Sequence, residues 1–314
     1  MAYQNVGTPR FYINVLEWIY SDISPIYRTL PVNITWMLST DVPFQYTSGM
    51  LNEKSFIALL GMNLAATPYF CTINNGFSEF DEIVNAEIAS SPLQGIAPTY
   101  NGFSIASFNG TDIESVDPLV VGNLGSFVIG TYYQMPHSPE LKLTITREMD
   151  GVKRIRTKGG VDLVNHKYTK PAMWGDAGAW ELYMRTTVGS GTPENQEPSR
   201  IGRRVWDLSF SYLQDSDVFP DVGSLTNYET ISPDGTTWTD TMSATDNTLL
   251  NEDTFYSQVI HKTNCGQLPF IFQPDSSNNN PDQFAICKFD MNSFQFKQVA
   301  NGVYNMKLKI REVW

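Results

Sequence analysis

Polar and apolar residues alternate most cleanly near the C-terminal end. In GVYNMKLKIREVW, Tyr304, Met306, Leu308 and Ile310 fall on one side of an extended chain, and Asn305, Lys307, Lys309 and Arg311 on the other. A period of two predicts a half-buried antiparallel strand. The segments before it, LPFIFQPD from Leu268, PDQFAICKFD and FQFKQV, read as further strands of the same layer. GRRVWDLSFSYL (202–213) repeats the alternation, with Trp206, Leu208, Phe210 and Tyr212 on one face and Asp207, Ser209 and Ser211 opposite. A chain that closes on such a strand is expected to use its C-terminus as structure.

Upstream the signal is more broken. PRFYINVLEWIY (9–20) predicts a strand running into a short helix, and NITWML (33–38) a short strand. LNEKSFIALLGMNLA (51–65) predicts a helix capped by Asn52, with Phe56, Leu59, Leu60 and Met62 along one side. SEFDEIVNAEIAS (78–90) predicts a second helix from the acidic residues after Ser78. FSIASF, between Asn101-Gly102 and Asn109-Gly110, and LGSFVIGTYYQM (124–135) are strand regions. LKLTITREMDGVKRIRTKGG (141–160) predicts a hairpin turning at Asp150-Gly151, with Leu141, Leu143 and Ile145 on one face. VGSGTPENQEPSR (188–200) is a linker by composition, and 214–250 a long polar loop suited to an arm that orders on a partner. NEDTFYSQVIHKTN (251–264) predicts a short helix with Phe255, Val259 and Ile260 inward and Gly266 as its stop. Neither internal repeats nor heptads are found.

Composition narrows the class. The 314 residues are 41% hydrophobic and 13% aromatic, which favours sheet and allows a sizeable core. Only 17% are charged, so much of the surface is polar without being ionic and can be covered by neighbours at low cost. A net charge of −12 argues against nucleic-acid binding by the surface as a whole. Cys71, Cys265 and Cys287 are odd in number and widely spaced, which predicts reduced, mostly buried thiols rather than a disulfide framework. The start of the chain has neither the basic nor the apolar stretch of a signal peptide, and no apolar run is long enough to span a membrane. The sequons at Asn33 and Asn109 then carry no meaning.

Charge is segregated. Between Lys142 and Lys170 lie eight basic residues, among them Lys153, Arg154, Arg156 and Lys158, opposed only by Glu148, Asp150 and Asp162. From Val205 to His261 there is no Lys or Arg, yet ten acids occur, including Asp215, Asp217, Asp221, Asp234 and Asp240. One reading is a subunit interface in which the basic hairpin of one copy meets the acidic region of the next. Two unrelated solvated faces, or a basic hairpin contacting DNA in a lumen, are the alternatives.

Catalytic and metal constellations are missing. Asp215-Ser-Asp217 with Asp221 lacks the Gly and terminal Glu of an EF-hand, and reads as a solvated acidic loop. His137, His166 and His261 have no ligand at metal spacing. No nucleophile elbow surrounds any Ser, and Gly159-Gly160 lacks the Lys-Ser/Thr of a phosphate loop. The expectation is a non-enzymatic protein without cofactor or metal. Trp174 and Trp180 in KYTKPAMWGDAGAWELY (167–183) either cover a sheet end or offer a stacking platform to a glycan.

Taken together, NVGTPRFYINVLEW, GRRVWDLSFSYL, the long polar loop, TFYSQVIHK and the closing run through GVYNMKLKIREVW resemble structural proteins of tailed bacteriophages. The nearest likeness is to tail-tip or baseplate ring components of the distal-tail kind. It covers residues 1–20 and 202–314; residues 21–201 match nothing familiar, and this central region is not the carbohydrate-binding-like C-terminal extension usual in that family. The resemblance implies a mainly β fold, sandwich- or barrel-like, with a few short helices. Its ring-forming domain would combine residues 1–20 with 201–314, and 21–200 would be a β-rich insertion. It further implies assembly with copies of itself and with neighbouring tail or baseplate proteins in a virion built in the host cytoplasm. A capsid decoration or neck protein, and a glycan- or receptor-binding virion module, are the alternatives.

Overall fold

A computed structural model describes residues 6–19, 27–30, 35–37, 42–43, 54–62, 70–74, 84–87, 102–108, 115–118, 122–124, 126–141, 144–148, 152–166, 203–220, 252–278 and 283–313. Its centre is a ten-stranded antiparallel sheet. From one edge the strands run β11 (Thr144–Glu148), β14 (Arg203–Gln214), β18 (Val303–Glu312), β16 (Ala285–Phe289), β15 (Phe270–Gln273), β1 (Arg10–Asn14), β10 (Ser126–Gln134), β4 (Ser55–Met62) and β7 (Gly102–Phe108). The tenth, β17 (Phe296–Ala300), pairs with β18. The mainly β expectation holds, with the N-terminal strand seated among the C-terminal ones. Four strands from the 21–200 interval, β4, β7, β10 and β11, pair into the same sheet.

Among the described residues, three small sheets are hydrogen-bonded separately from it. β2 (Thr35–Met37) pairs with β9 (Gly122–Leu124), and β3 (Val42–Pro43), β8 (Ser115–Pro118), β5 (Phe70–Asn74) and β6 (Val84–Glu87) form a sheet of four. β12 (Val152–Arg156) and β13 (Asp162–His166) form a two-stranded ribbon. Among the described residues the helices are short: α1 (Val15–Ile19), α2 (Asp215–Val218) and a π-helical segment (Tyr256–His261).

Both faces of the sheet are packed along its middle strands. Along β1, Phe11 and Ile13 enter one core while Tyr12 enters the other. β15 divides likewise into Phe270 and Phe272 against Ile271, and β16 into Ala285, Cys287 and Phe289 against Ile286, with Phe284 just before it joining Ile286. Central strands apolar on both faces lose their alternation in sequence, because each side chain has a core to enter. The larger core is capped by the π-helical segment, whose Val259 and Ile260, with Phe255 just before it, are buried there. Phe11 is its hub, with Phe255, Phe270 and Phe272 rings at 5.7, 5.6 and 5.2 Å. The predicted inward set Phe255, Val259 and Ile260 is thus correct. Gly266, the predicted stop, has φ +85° in the turn that follows the segment.

Two helix expectations fail. Residues 55–62 form β4, bonded to β10 on one side and β7 on the other. The apolar positions that fit a helix also fit an interior strand, and Phe56, Ala58 and Leu60 enter the smaller core at period two. Residues 84–87 form β6 rather than helix. The hairpin expected to turn at Asp150-Gly151 is also re-partnered: β11 pairs with β14, and β12 with β13 across the turn at 157–161. At Gly130, opposite Asn14, a Cβ would overlap the Ile13 carbonyl oxygen, so only glycine lets β10 approach β1 there.

Candidate interaction surfaces

The end of β14 carries an irregularity that the sequence conceals. Phe210 pairs with Met306 and Leu213 with Tyr304, so three steps on β14 face two on β18. This is a β-bulge. Trp206, Leu208 and Phe210 point into the core as predicted, but Tyr212 takes φ +63° and is 74% exposed, and Leu213 is buried in its place. The inward Tyr212 is therefore corrected: the extra residue flips the alternation by one. Its N–H donates to Asn305 Oδ1 at 3.3 Å. Beside it, the Glu140 N–H donates to the Ser209 carbonyl at 2.8 Å and Ser211 Oγ bonds the Glu140 carboxylate. Leu141, next in the chain, is fully exposed.

α2 follows at once and is drawn back onto the sheet. Tyr133 Oη donates to the Asp217 carbonyl at 2.9 Å, and Val218 is buried. Phe219 packs edge-on against Phe296 and Tyr304 at 5.0 and 5.3 Å. Residues 215–220 at the start of the expected arm thus belong to the packed fold. The Asp217 side chain accepts the Gln214 N–H at 2.9 Å, a local cap. Asp215 is exposed and takes a hydrogen bond from the Tyr304 side chain. Asp221, Asp234 and Asp240 lie outside the described residues, as do Trp174 and Trp180.

The basic set lies on the ribbon. Lys153 and Arg154 are register partners of Asn165 and Val164, and Arg156 of Asp162, to which it forms an exposed ion pair at 3.7 Å. Lys158 is exposed in the turn. That turn is held by Thr157, whose N–H and Oγ1 both donate to the Val161 carbonyl at 2.9 Å, and by Gly160 at φ +80°. Ile155 stands opposite Leu163. Opposed residues share a face, and Val161, two residues before Leu163, continues it. These three are 51, 57 and 62% exposed. Sequence reasoning located the ribbon's charge and missed its apolar face, which appears only once β12 pairs with β13.

The ribbon follows directly on β11, whose end is fixed by ion pairs. Arg311 on β18 reaches Glu148 at 2.7 Å. Next to it Arg204 grips the fully buried Glu312 through Nε and Nη2 at 3.1 and 2.8 Å, and the Arg204 N–H donates to the same carboxylate at 2.7 Å. Arg204 also donates to the Phe284 carbonyl and lies over Trp206 at 5.2 Å. Burial raises the Glu312 carboxyl above its ordinary range, and Arg204 offsets this only in part.

Among titratable groups, Lys262 stands out. It is fully buried, and Nζ donates to Gln258 Oε1 at 2.7 Å and to Thr131 Oγ1 at 3.3 Å. Burial pushes its ammonium down to about 7, with the Asp253 carboxylate opposing. This network joins the π-helical segment to β10. His261 is also lowered, first by burial and then by Lys262, and packs edge-on against Trp18 at 5.1 Å. Cys287 is buried as expected, whereas Cys265 is exposed. Among the described residues, no group of three His, Cys, Asp or Glu is placed to hold a metal ion, and no helix is long and apolar enough to cross a membrane. Compared with known proteins, the chain matches no family model, no curated protein and no solved structure at a significant level.

Proposed function

We propose that this chain is a non-enzymatic structural subunit of a tailed-bacteriophage particle, a ring component of the tail-tip or baseplate kind. It assembles with copies of itself and with neighbouring tail proteins through sheet edges and complementary charge. The observation that carries this reading is the meeting of the chain's two parts. β1 lies between β15 and β10, in the sheet that β14, β16 and β18 build. The phage resemblance rests on those same segments, so the stretches that look alike are also the ones that pack together. Among the described residues β11 and β7 stand at the two ends of this sheet, and strand addition there is the assembly mode this reading assigns.

The decisive experiment is localisation. Mass spectrometry and cryo-electron microscopy of purified particles should find the chain in a ring at the tail tip. Density on the capsid surface or at the neck would replace the tail-tip reading with the alternative positions, and absence from particles would remove the virion reading altogether. In the free subunit, a protease should cut between residues 221 and 250, and assembly should protect those sites. Equal cutting in both states would remove the arm.

A further inference from the structure

We propose that the β12–β13 ribbon of one copy seats its apolar face on the bulged end of β14 in a second copy, head to tail. The inference rests on reading the chain as a self-assembling subunit, but not on the kind of particle it builds. A lone two-stranded ribbon is at best marginally stable in water. This one exposes Ile155, Val161 and Leu163 on a single face, with Lys158 in the adjoining turn and Arg156 on the face behind, next along the strand. Such a face is made to be covered. Charge identifies what covers it. The ribbon, residues 152–166, carries four basic residues against Asp162, a net +3, which leaves −15 on the rest of a chain whose total is −12. The cover that fits is therefore another copy of this acidic chain.

The bulged end of β14 has the complementary make-up. Leu141 and Tyr212 are its exposed apolar groups, and Glu140 and Asp215 stand within a few residues of them. Tyr212 is turned outward by left-handed backbone, a conformation costly for a bulky residue, which is repaid if the ring is an anchor in a contact. The two surfaces lie at opposite ends of one strand pair. The ribbon follows the end of β11 that is paired with Arg203, and the patch lies near Tyr212. Nine residue steps along the strand separate Arg203 from Tyr212, roughly 30 Å. Distinct surfaces at opposite ends make a heterologous contact, which propagates from copy to copy until it closes or runs on as a filament.

The test uses the full-length protein. A ribbon variant, Ile155→Asp with Leu163→Asp, and a patch variant, Leu141→Asp with Tyr212→Asp, change exposed side chains only, and circular dichroism verifies that each folds. In analytical ultracentrifugation the wild type should associate with rising concentration. Each variant should raise the dissociation constant about tenfold or more. Mixed together, the two variants should form a one-to-one dimer and nothing larger, because one intact ribbon meets one intact patch. Arg156→Glu with Lys158→Glu should also weaken association, and Glu140→Lys with Asp215→Lys in the partner should restore it. A ribbon variant that assembles like the wild type, or a mixture that stays monomeric, overturns the contact and leaves self-assembly through another surface standing. A wild type that remains monomeric throughout overturns both.

Discussion

A single lysine sets a pH dependence that begins near neutrality at the residue scale. Lys262 is buried beside Thr131, Gln258 and the Asp253 charge, and burial lowers it to about 7. In the unfolded chain it titrates near 10.5. Between those values the unfolded state holds the extra proton, so stability rises with pH and the penalty is in full force below about 7. The slope from this one group is about 1.4 kcal/mol per pH unit. Tyr12, pushed up to about 12 by burial, reverses the trend above its ordinary value of 10.0. Urea unfolding at pH 7 and pH 9.5 should therefore show a gain with pH in the wild type that Lys262→Met abolishes. Arg204 and Glu312 illustrate the opposite economy of a buried pair. Glu312→Ala alone should cost about 3–5 kcal/mol, since it strands the arginine, whereas replacing both by apolar residues of similar volume should cost far less. Denaturant midpoints of the two variants decide this.

At the scale of elements, register is what the side chains specify, and the bulge in β14 is its adjustable point. Phe210 and Leu213 are both buried with two residues between them. Deleting Tyr212 would leave Phe210, Ser211 and Leu213 in regular alternation against Met306, Asn305 and Tyr304. That deletion should change stability by about 1 kcal/mol or less, because the strained residue is the one removed. Deleting Ser209 instead would, as the bulge closes, leave Leu208 opposite Leu308 but turn Phe210 outward and Ser211 inward, and should cost about 3–5 kcal/mol. Thermal unfolding of the two deletions tests whether the bulge is an insertion in an otherwise regular ladder. A methyl group at Gly130 meets backbone rather than a movable side chain, so Gly130→Ala should cost about 1–3 kcal/mol in the same assay.

For the whole molecule, one sheet with a core on each face organises the chain, and the charged ribbon stands as a small sheet of its own. Association driven by its basic residues should weaken as ionic strength rises, with the apolar face leaving a residual affinity at high salt. Sedimentation at 50 mM and 500 mM salt should show about a tenfold or greater difference in dissociation constant.

Half-buried strands were legible before any coordinates. In β18, Met306, Leu308 and Ile310 are buried and Lys307 and Lys309 exposed, because one face meets the core and the other meets water. The segregation of basic and acidic residues was equally plain, since it is a property of the chain. β4 was not legible: FIALLGM is apolar at helical and strand spacings alike, and only pairing with β10 and β7 decided between them. The outward Tyr212, the apolar face of the ribbon and the Lys262 network share that origin. Each depends on residues distant in sequence, and a local pattern records which side chains seek cover without recording which neighbour supplies it.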